Sequence, residues 1–384
     1  MAVEDAPVSP ALPGENAEAP QQGVALCLSG GGYRAMLFHV GALWRLNELA
    51  WLSKLQRISS VSGGSITAGT LGLHWNALQF DASGVAGDLH AQLVQPIRRL
   101  AGRTIDLWAV IGGILTPGRS ISSMVAVAYR RNLFNRATLQ ELPDEPRFVL
   151  NATSLQTGAL WRFSKPYMAD YTVGLVPNPS IELARAVAAS SAFPPVLSPL
   201  KLKLNPNSFA SEGRGPNYRE PYNSAAVLSD GGVYDNLGIE TAWKRYTTVL
   251  ISDGGGHMQA TPRVHGDWIR QALRVNSVID NQVRDLRKRQ AITGFQRNEK
   301  TGTYWGIRSD IIDFGPPPGS LPCPSAQTSL LAATETRLKA MDATLQERLI
   351  NWGYAICDAA MRRWVTPHAP APPGFPFPTA GVGE

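Results

Sequence analysis

Two apolar runs near the N-terminus each end in a glycine turn, and each turn is followed by a helical pattern. GVALCL at 23–28 predicts a buried strand before three consecutive glycines, and apolar residues then recur every three or four positions to about residue 51. LQRISSVS at 55–62 predicts a second strand, and SITAGTLGLHW at 65–75 predicts a second helix. Alternating strands and helices predict an α/β fold with a mostly parallel sheet that is covered on both faces.

The same alternation continues along the chain. RFVLNATSLQTGALWRFS at 147–164 predicts two strands, and SIELARAVAASSAFPPV at 180–196 predicts a helix that ends at two prolines. Residues 204–224 are polar and predict a long loop. AAVLSDGG at 225–232 and TTVLISDGGG at 247–256 predict two more strands, each ending in Asp-Gly-Gly. Helical periodicity over 265–292 and 327–364 predicts helices that cover the sheet.

Composition divides the chain into a central body with two unlike ends. Residues 1–22 hold four acids and no Lys or Arg, and we expect a disordered acidic tail rather than a targeting peptide. A single folded domain is predicted over 23–365, followed by a Pro-rich tail at 366–384. Within the domain, 78–146 alternates apolar and basic segments, which indicates either a cap or interfacial insertion or an ordinary helical insertion packed on the core.

Hydrophobic content, cysteine usage and charge indicate the cellular location and the kind of partner to expect. With 384 residues and 44% hydrophobic content, the chain can bury a large core, and its three cysteines lack any close C-x-x-C pair. We therefore expect a reduced, cytoplasmic protein. The longest apolar run, WAVIGGIL at 108–115, is too short to cross a bilayer. Residues 23–366 carry a net charge of +11, which favours an anionic surface as partner or reflects only a well-solvated exterior.

Ser62 is the first candidate for chemistry, because it stands at a predicted strand end with a helix behind it. A nucleophile elbow G-x-S-x-G needs small residues two positions before and two positions after the serine. Here Gly64 occupies the second position and Ser60 the first, and serine is still small. Other serines nearby lack this spacing. Ser62 is thus either a nucleophile on a tight turn or an ordinary loop serine.

The glycine triplet offers backbone donors. Gly30, Gly31 and Gly32 follow the first strand, where consecutive amides can point at a developing oxyanion. A rival interpretation is the dinucleotide fingerprint, which Gly30, Gly32 and Ala35 also satisfy. That fingerprint requires an acid at the end of the second strand, and none is present there.

A nucleophilic serine needs a base, and the residues leave three candidates. Asp230 and Asp253 both end predicted strands in Asp-Gly-Gly turns. The order Ser62, Asp230, His257 also matches that of the α/β-hydrolase triad. Spacing alone does not choose between a lone aspartate and an aspartate that holds a histidine.

Four segments together resemble the patatin-like phospholipases: LSGGGYRAMLFHVGALWRL, SSVSGGSITAG, AVAASSAFPPV and LSDGGVYDNLG, in the family's order over about residues 24–256. The SGGG-x-R form also resembles the cytosolic phospholipase A branch. The resemblance implies a three-layer α/β/α patatin-like fold and a Ser62–Asp230 dyad without histidine. It also implies an oxyanion hole at Gly30 to Gly32, and a substrate role for Arg34 at the lipid phosphate, unless Arg34 is only a helix-surface charge. Ser60 departs from plant patatins, which have glycine there.

The resulting expectation is a lipid acyl hydrolase that works through an acyl-enzyme. Its substrate would be a phospholipid or another acyl lipid, with a peripheral membrane surface as partner and no nucleic acid. No cofactor or metal is expected, because no calcium-binding loop of the EF-hand type is visible. Two alternatives remain open: an esterase or thioesterase with a Ser-His-Asp triad that uses His257, and a non-catalytic lipid-binding protein.

Overall fold

The computed structural model describes residues 20–105, 121–256, 258 and 260–383. Ten described strands form one sheet in the order β10-β9-β1-β2-β3-β4-β5-β6, and β8 pairs with both β3 and β7. The strands are β1 Gln21–Leu28, β2 Leu55–Val61, β3 Arg147–Ser154, β4 Leu160–Phe163, β5 Tyr167–Asp170, β6 Gly174–Pro177, β7 Leu200–Lys203, β8 Ala225–Asp230, β9 Tyr246–Asp253 and β10 Thr301–Gly306.

Helices connect and cover these strands. The described α-helices are α1 Gly32–Glu48, α2 Gly63–His74, α3 Gln95–Ala101, α4 Ile121–Tyr129, α5 Leu183–Ser190, α6 Gly232–Asp235, α7 Trp268–Gln296, α8 Ser325–Ala332 and α9 Ala343–Trp364. Single π-helical turns flank α3 and α4, at His90–Val94 and Arg130–Phe134.

The centre of the sheet is parallel and one side is antiparallel. Strands β10, β9, β1, β2 and β3 run parallel to one another. Beyond β3, strands β4, β5 and β6 are antiparallel. The sequence prediction of an α/β fold with a mostly parallel sheet is confirmed.

Helix α1 is buried along nearly its whole length and crosses α9 closely. A methyl group on Gly41 would meet the backbone of Ile350, and one on Gly353 would meet the backbone of Phe38. Glycine at these positions therefore lets the two helix backbones touch. Next to the crossing, Arg45 of α1 forms a buried ion pair with Asp358 of α9 at 2.8 Å.

The segment predicted as a cap or insertion is described only in part. Its flanks, 78–105 and 121–146, place Leu93, Ile97, Tyr129 and Phe134 in the main core, fully buried. Residues 106–120, which include the apolar run 108–115, lie outside the described residues. The flanks thus pack as a helical insertion does, and a cap function remains a prediction.

Both chain ends differ from the simple picture of a body with two tails. Strand β1 begins at Gln21, inside the segment expected to be a tail, and residues 1–19 lie outside the described residues. The Pro-rich end folds back on the body, where the Asn351 amide of α9 donates to the backbone oxygens of Phe377 and Gly381 at 2.8 Å. No helix in the described ranges is both long and apolar enough to cross a membrane.

The two predicted C-terminal helical segments are only partly correct. The segment 327–364 contains two helices, α8 and α9, with irregular residues between them. The segment 265–292 does form a helix, α7, but the prediction that it covers the sheet is wrong for most of its length. Its buried residues are Ala291 and Gly294 near the C-terminal end, where a ring of Trp243 lies against Gly294.

Candidate active site

Strand β3 brings two distant strand ends together. Along β3, Val61 at the end of β2 is opposite Asn151, and Asp230 at the end of β8 is opposite Ala152. Strand β4 occupies the other edge of β3, so β2 and β8 share one edge. Because β2 is parallel and β8 antiparallel to β3, their carboxyl ends meet at neighbouring positions. Ser62 and Asp230 therefore lie side by side, as the dyad prediction requires.

Ser62 stands on a strained turn between β2 and α2. Its φ of 52° and ψ of −119° lie outside the regions that non-glycine residues ordinarily adopt. Such strain persists only where surrounding contacts enforce it, and it concentrates at functional sites. The side chain is almost buried, at 7% exposure. This geometry is that of a serine at a strand-to-helix elbow.

Close backbone packing holds the elbow in place. A methyl group on Gly63 would run into the backbone oxygen of Gly32, and one on Gly64 would run into that of Leu28. The Gly64 N–H donates to the Ser29 oxygen at 3.1 Å. Neither glycine can be replaced by a larger residue without moving the loop that carries the glycine triplet.

Hydroxyl groups from three segments support the same turn. The Ser62 N–H donates to Oγ of Ser190 at 3.1 Å, and Ser190 in turn donates to the Asn151 oxygen at 2.6 Å. Oγ of Ser65 lies 2.8 Å from that of Ser190 and 2.9 Å from that of Ser60. Sequence reasoning missed this positioning role of Ser190, although AVAASSAFPPV was among the motifs that carried the resemblance.

The Asp230 carboxyl group is buried, and only one of its two oxygens has a hydrogen-bond partner. Oδ1 accepts from the Gly232 N–H at 2.7 Å, whereas Oδ2 has no hydrogen-bond partner. Burial raises the pKa of Asp230 from 3.8 to about 7, against smaller lowering effects from the Gly232 N–H and the Ser62 hydroxyl. The hydroxyl is thus close enough to influence the carboxylate, but the two do not form a regular hydrogen bond in this structure.

The three predicted oxyanion donors are not equivalent. The Gly30 N–H donates to the Asn236 oxygen at 3.0 Å, so it is already engaged. Gly31 and Gly32 adopt φ values of 144° and 60°, which favour glycine. Within the described residues, neither of their N–H groups donates to a protein oxygen. Gly31 and Gly32 therefore remain as available donors, and Gly30 does not.

The other candidate bases, Asp253 and the histidines, are not hydrogen-bonded to Ser62 in the described residues. Both carboxylate oxygens of Asp253 are engaged, Oδ1 with the Gly255 N–H and Oδ2 with the Tyr304 hydroxyl, each at 2.8 Å. His257 lies outside the described residues. His39 is buried and bonds to Ser252 and to the Ser29 oxygen, and burial lowers its pKa to about 4. No histidine in the described ranges hydrogen-bonds to the candidate dyad.

Arg34 is buried rather than a surface charge of α1. Its side chain donates to the backbone oxygens of Gly254 and Thr334, and it is 2% exposed. Nη2 is buried without a hydrogen-bond partner, and a methyl group on Gly31 would lie 3.1 Å from it. The free end of the guanidinium thus lies beside a candidate oxyanion donor. Burial, followed by repulsion from Arg284, lowers the pKa of Arg34 to about 10.

A family model described as Patatin-like phospholipase matches residues 26–243, which is more than half of the chain. The chain belongs to the patatin-like phospholipase family. The resemblance seen in the four sequence motifs is thereby confirmed, together with the fold that it implied. The matched range holds both members of the candidate dyad and the whole glycine triplet of this patatin-like protein.

A solved structure supports the assignment of the fold. Human GIVD cytosolic phospholipase A2 in complex with methyl γ-linolenyl fluorophosphonate matches with a TM-score of 0.50 and 14% identity, over 91% of this chain and 58% of that one. Another structure of the human protein matches with a TM-score of 0.43 and 13% identity, and the match covers 63% of this chain and 47% of that one. VipD from Legionella pneumophila matches with a TM-score of 0.34 and 14% identity, and the match covers 89% of this chain and 66% of that one. The patatin-like chain spans about half the length of the human protein. No curated protein sequence matches it.

Metal-binding side chains do not cluster in the part of the chain that is described. No group of three or more His, Cys, Asp or Glu residues there could hold a metal ion. The site offers a serine hydroxyl, a carboxylate, two free amides and one guanidinium. This set can perform nucleophilic chemistry at an acyl carbon.

Proposed function

We propose that this patatin-like protein hydrolyses acyl esters of lipids through an acyl-enzyme on Ser62, with Asp230 as the general base. The observation that carries the proposal is the meeting of a strained serine with a buried carboxylate whose Oδ2 lacks a partner. A base is most effective when its pKa is near the working pH, and burial brings Asp230 to about 7.

In the first half-reaction, Oγ of Ser62 attacks the ester carbonyl carbon while Oδ2 of Asp230 accepts the hydroxyl proton. Negative charge develops on the carbonyl oxygen, and the Gly31 and Gly32 N–H groups donate to it. Each such donor typically contributes about 10²-fold or more to the rate. The carbon–oxygen bond to the alcohol then breaks, and Asp230 returns the proton to the departing oxygen. The fatty acyl group is left as an ester on Ser62.

In the second half-reaction, water attacks the acyl-enzyme and Asp230 accepts one of its protons. The same two amides stabilise the second oxyanion. The bond to Oγ of Ser62 breaks, the proton passes from Asp230 to Oγ, and the fatty acid leaves. A single carboxyl group thus serves as base and then acid in each half-reaction, which explains why no histidine is required.

Arg34 supplies the reason to favour a phospholipid among acyl lipids. A guanidinium end that is buried, unpartnered and adjacent to Gly31 matches a phosphate oxygen better than a neutral alcohol. We infer that Arg34 binds the phosphate of the substrate next to the reacting ester.

The test is covalent labelling combined with product analysis. Purified protein is treated with a fluorophosphonate probe and digested, and mass spectrometry should find the label on Ser62. The Ser62→Ala variant should lose both the label and the release of fatty acid from phosphatidylcholine. Ser211→Ala, which changes an exposed loop serine, is the matched control and should retain both.

Two results would contradict the proposal. An intact protein that is not labelled at Ser62 and releases no fatty acid would favour a non-catalytic lipid-binding protein. A His257→Ala variant as inactive as Ser62→Ala, yet normally folded, would favour a Ser-His-Asp triad instead of the dyad. The dyad requires His257→Ala to keep most of the activity.

A further inference from the structure

Helix α7 carries an exposed apolar face. Trp268, Val275, Ile279 and Leu286 are separated by seven, four and seven residues, so they line one side of the helix over five turns. Their exposures are 78%, 50%, 55% and 58%. The face is about 27 Å long at the helical rise of 1.5 Å per residue. Apolar stripes of this length are normally covered in a soluble protein.

The C-terminal half of α7 is anchored to the body. Gly294 packs on Trp243, and the Phe295 ring packs edge-on against Trp243 with centroids 5.6 Å apart. Arg287 pairs with Glu240 at 2.8 Å. The N-terminal half extends away from these contacts, and no other described element covers its apolar face. Whatever covers this face in use therefore comes from outside the described part of the chain.

The charge of α7 indicates what that occupant is. The helix contains six basic and two acidic residues, a net charge of +4. Arg270, Arg274 and Lys288 project from the side opposite the apolar face. A helix with apolar and basic sides and an exposed Trp is typical of elements that lie in the interface of an anionic membrane. Pairing α7 with itself in a second copy would bring two such basic helices together, which charge repulsion disfavours.

The helix also runs beside the candidate active site. Arg284 of α7 donates to the Gly256 oxygen and pairs with Asp280 one turn earlier, at 3.1 Å. Gly256 borders Arg34, because a methyl group on Gly256 would lie 2.9 Å from its Nη2. Asp280 is near enough to Asp230 to raise its pKa. Helix α7 therefore lies beside the site, and Arg284 and Asp280 contact its surroundings from the side of the helix away from the apolar face.

We propose that the apolar face of α7, formed by Trp268, Val275, Ile279 and Leu286, docks on an anionic lipid surface and keeps the Ser62 site close to that surface. The proposal builds on the lipid hydrolysis proposed above, since a site that cleaves membrane lipids must meet the surface in which they lie. The basic side chains of α7 add attraction to anionic headgroups.

The experiment measures binding separately from turnover. The full chain carrying Ser62→Ala is mixed with vesicles of phosphatidylcholine containing 0 or 30% phosphatidylserine, and the bound fraction is measured by flotation. Replacing Ile279 and Leu286 by Asp should weaken binding to the anionic vesicles at least about tenfold, because two apolar contacts are lost and two negative charges are added. Ile312 and Leu330, which are 71% and 74% exposed elsewhere, are replaced by Asp as the matched control. The control should bind the vesicles as well as the parent, which is the chain carrying Ser62→Ala alone.

Three outcomes would overturn docking through α7. The parent could fail to bind either vesicle, the two double variants could bind equally, or α7 could hold two chains together. The last case would appear as a dimer in sedimentation velocity that only the α7 variant dissociates.

A parallel assay uses chains with intact Ser62. The α7 variant should keep its activity on a short-chain soluble ester and lose most of its activity on vesicles. If neither substrate is hydrolysed while the variant still loses vesicle binding, the proposed function fails and the docking surface stands.

Discussion

Replacing Asp230 by Asn should inactivate the protein and also make it more stable at alkaline pH. Asn keeps the shape of the side chain, and its Oδ1 can still accept from the Gly232 N–H. The change removes a carboxylate that is buried and has one oxygen without a partner. Burial that is only partly compensated by hydrogen bonds disfavours the charged form, so the folded protein is destabilised whenever Asp230 is ionised.

The size of the effect follows from the pKa of Asp230, which rises from 3.8 to about 7 on folding. Because the folded state binds this proton more tightly than the unfolded state, the contribution of Asp230 to stability is largest in acid and declines as pH rises from 3.8 to about 7. Each pKa unit corresponds to about 1.4 kcal/mol. Asp230→Asn should therefore raise the free energy of unfolding by about 2 kcal/mol at pH 5 and about 4 kcal/mol at pH 8.

Urea titration at the two pH values, followed by tryptophan fluorescence, measures these free energies. Asp144→Asn is the matched control, since the Asp144 side chain is 88% exposed and should leave the pH dependence unchanged. The reasoning is refuted if Asp230→Asn gives the same stability difference at pH 5 and pH 8, or if the variant is less stable than the parent at pH 8. Either result would mean that the carboxylate is solvated or paired in the folded protein.

Two further substitutions examine the glycine loop and the arginine. Gly63→Ala should lower the rate of hydrolysis about 100-fold, because the added methyl group meets the Gly32 backbone and displaces a donor from the site. Gly87→Ala is the control: open space surrounds Gly87, so this change should leave the rate in the same assay unaltered. Arg34→Met should raise the KM for phosphatidylcholine about tenfold while sparing a neutral short-chain ester, and Arg34→Lys should restore part of the loss. Equal losses on both substrates would reduce Arg34 to a structural residue.

The local part of the site could be predicted from the sequence because local sterics determine it. A small residue is required wherever one backbone passes within contact distance of another, and Gly63 and Gly64 are conspicuous for that reason. The strand, turn and helix around Ser62 follow the periodicity of the apolar residues. Pairing Ser62 with Asp230 depended on the family resemblance, because strand register along β3 cannot be read from spacing.

The remaining details depend on contacts between distant segments. The sequence contains no sign that the Gly30 N–H is engaged by Asn236, since the two meet only after the sheet forms. Ser190 supports Ser62 from α5 in the same way. For α7, periodicity predicted a helix correctly, but it could not reveal that the apolar side of the helix faces away from the body. An apolar stripe indicates that something covers it, not what does.

Because β2 and β8 meet end to end along β3, the register of β8 on β3 is fixed by the site, whereas the length of the loop before β8 is not. Only three residues of β8, from Leu228 to Asp230, are registered on β3. The long polar excursion before β8 can gain or lose residues without moving the carboxylate, since its length does not enter this alignment. Slipping β8 by a single residue would turn Asp230 to the opposite side of the sheet, away from Ser62. A span of three aligned residues thus decides whether two halves of an active site, far apart in the chain, ever meet.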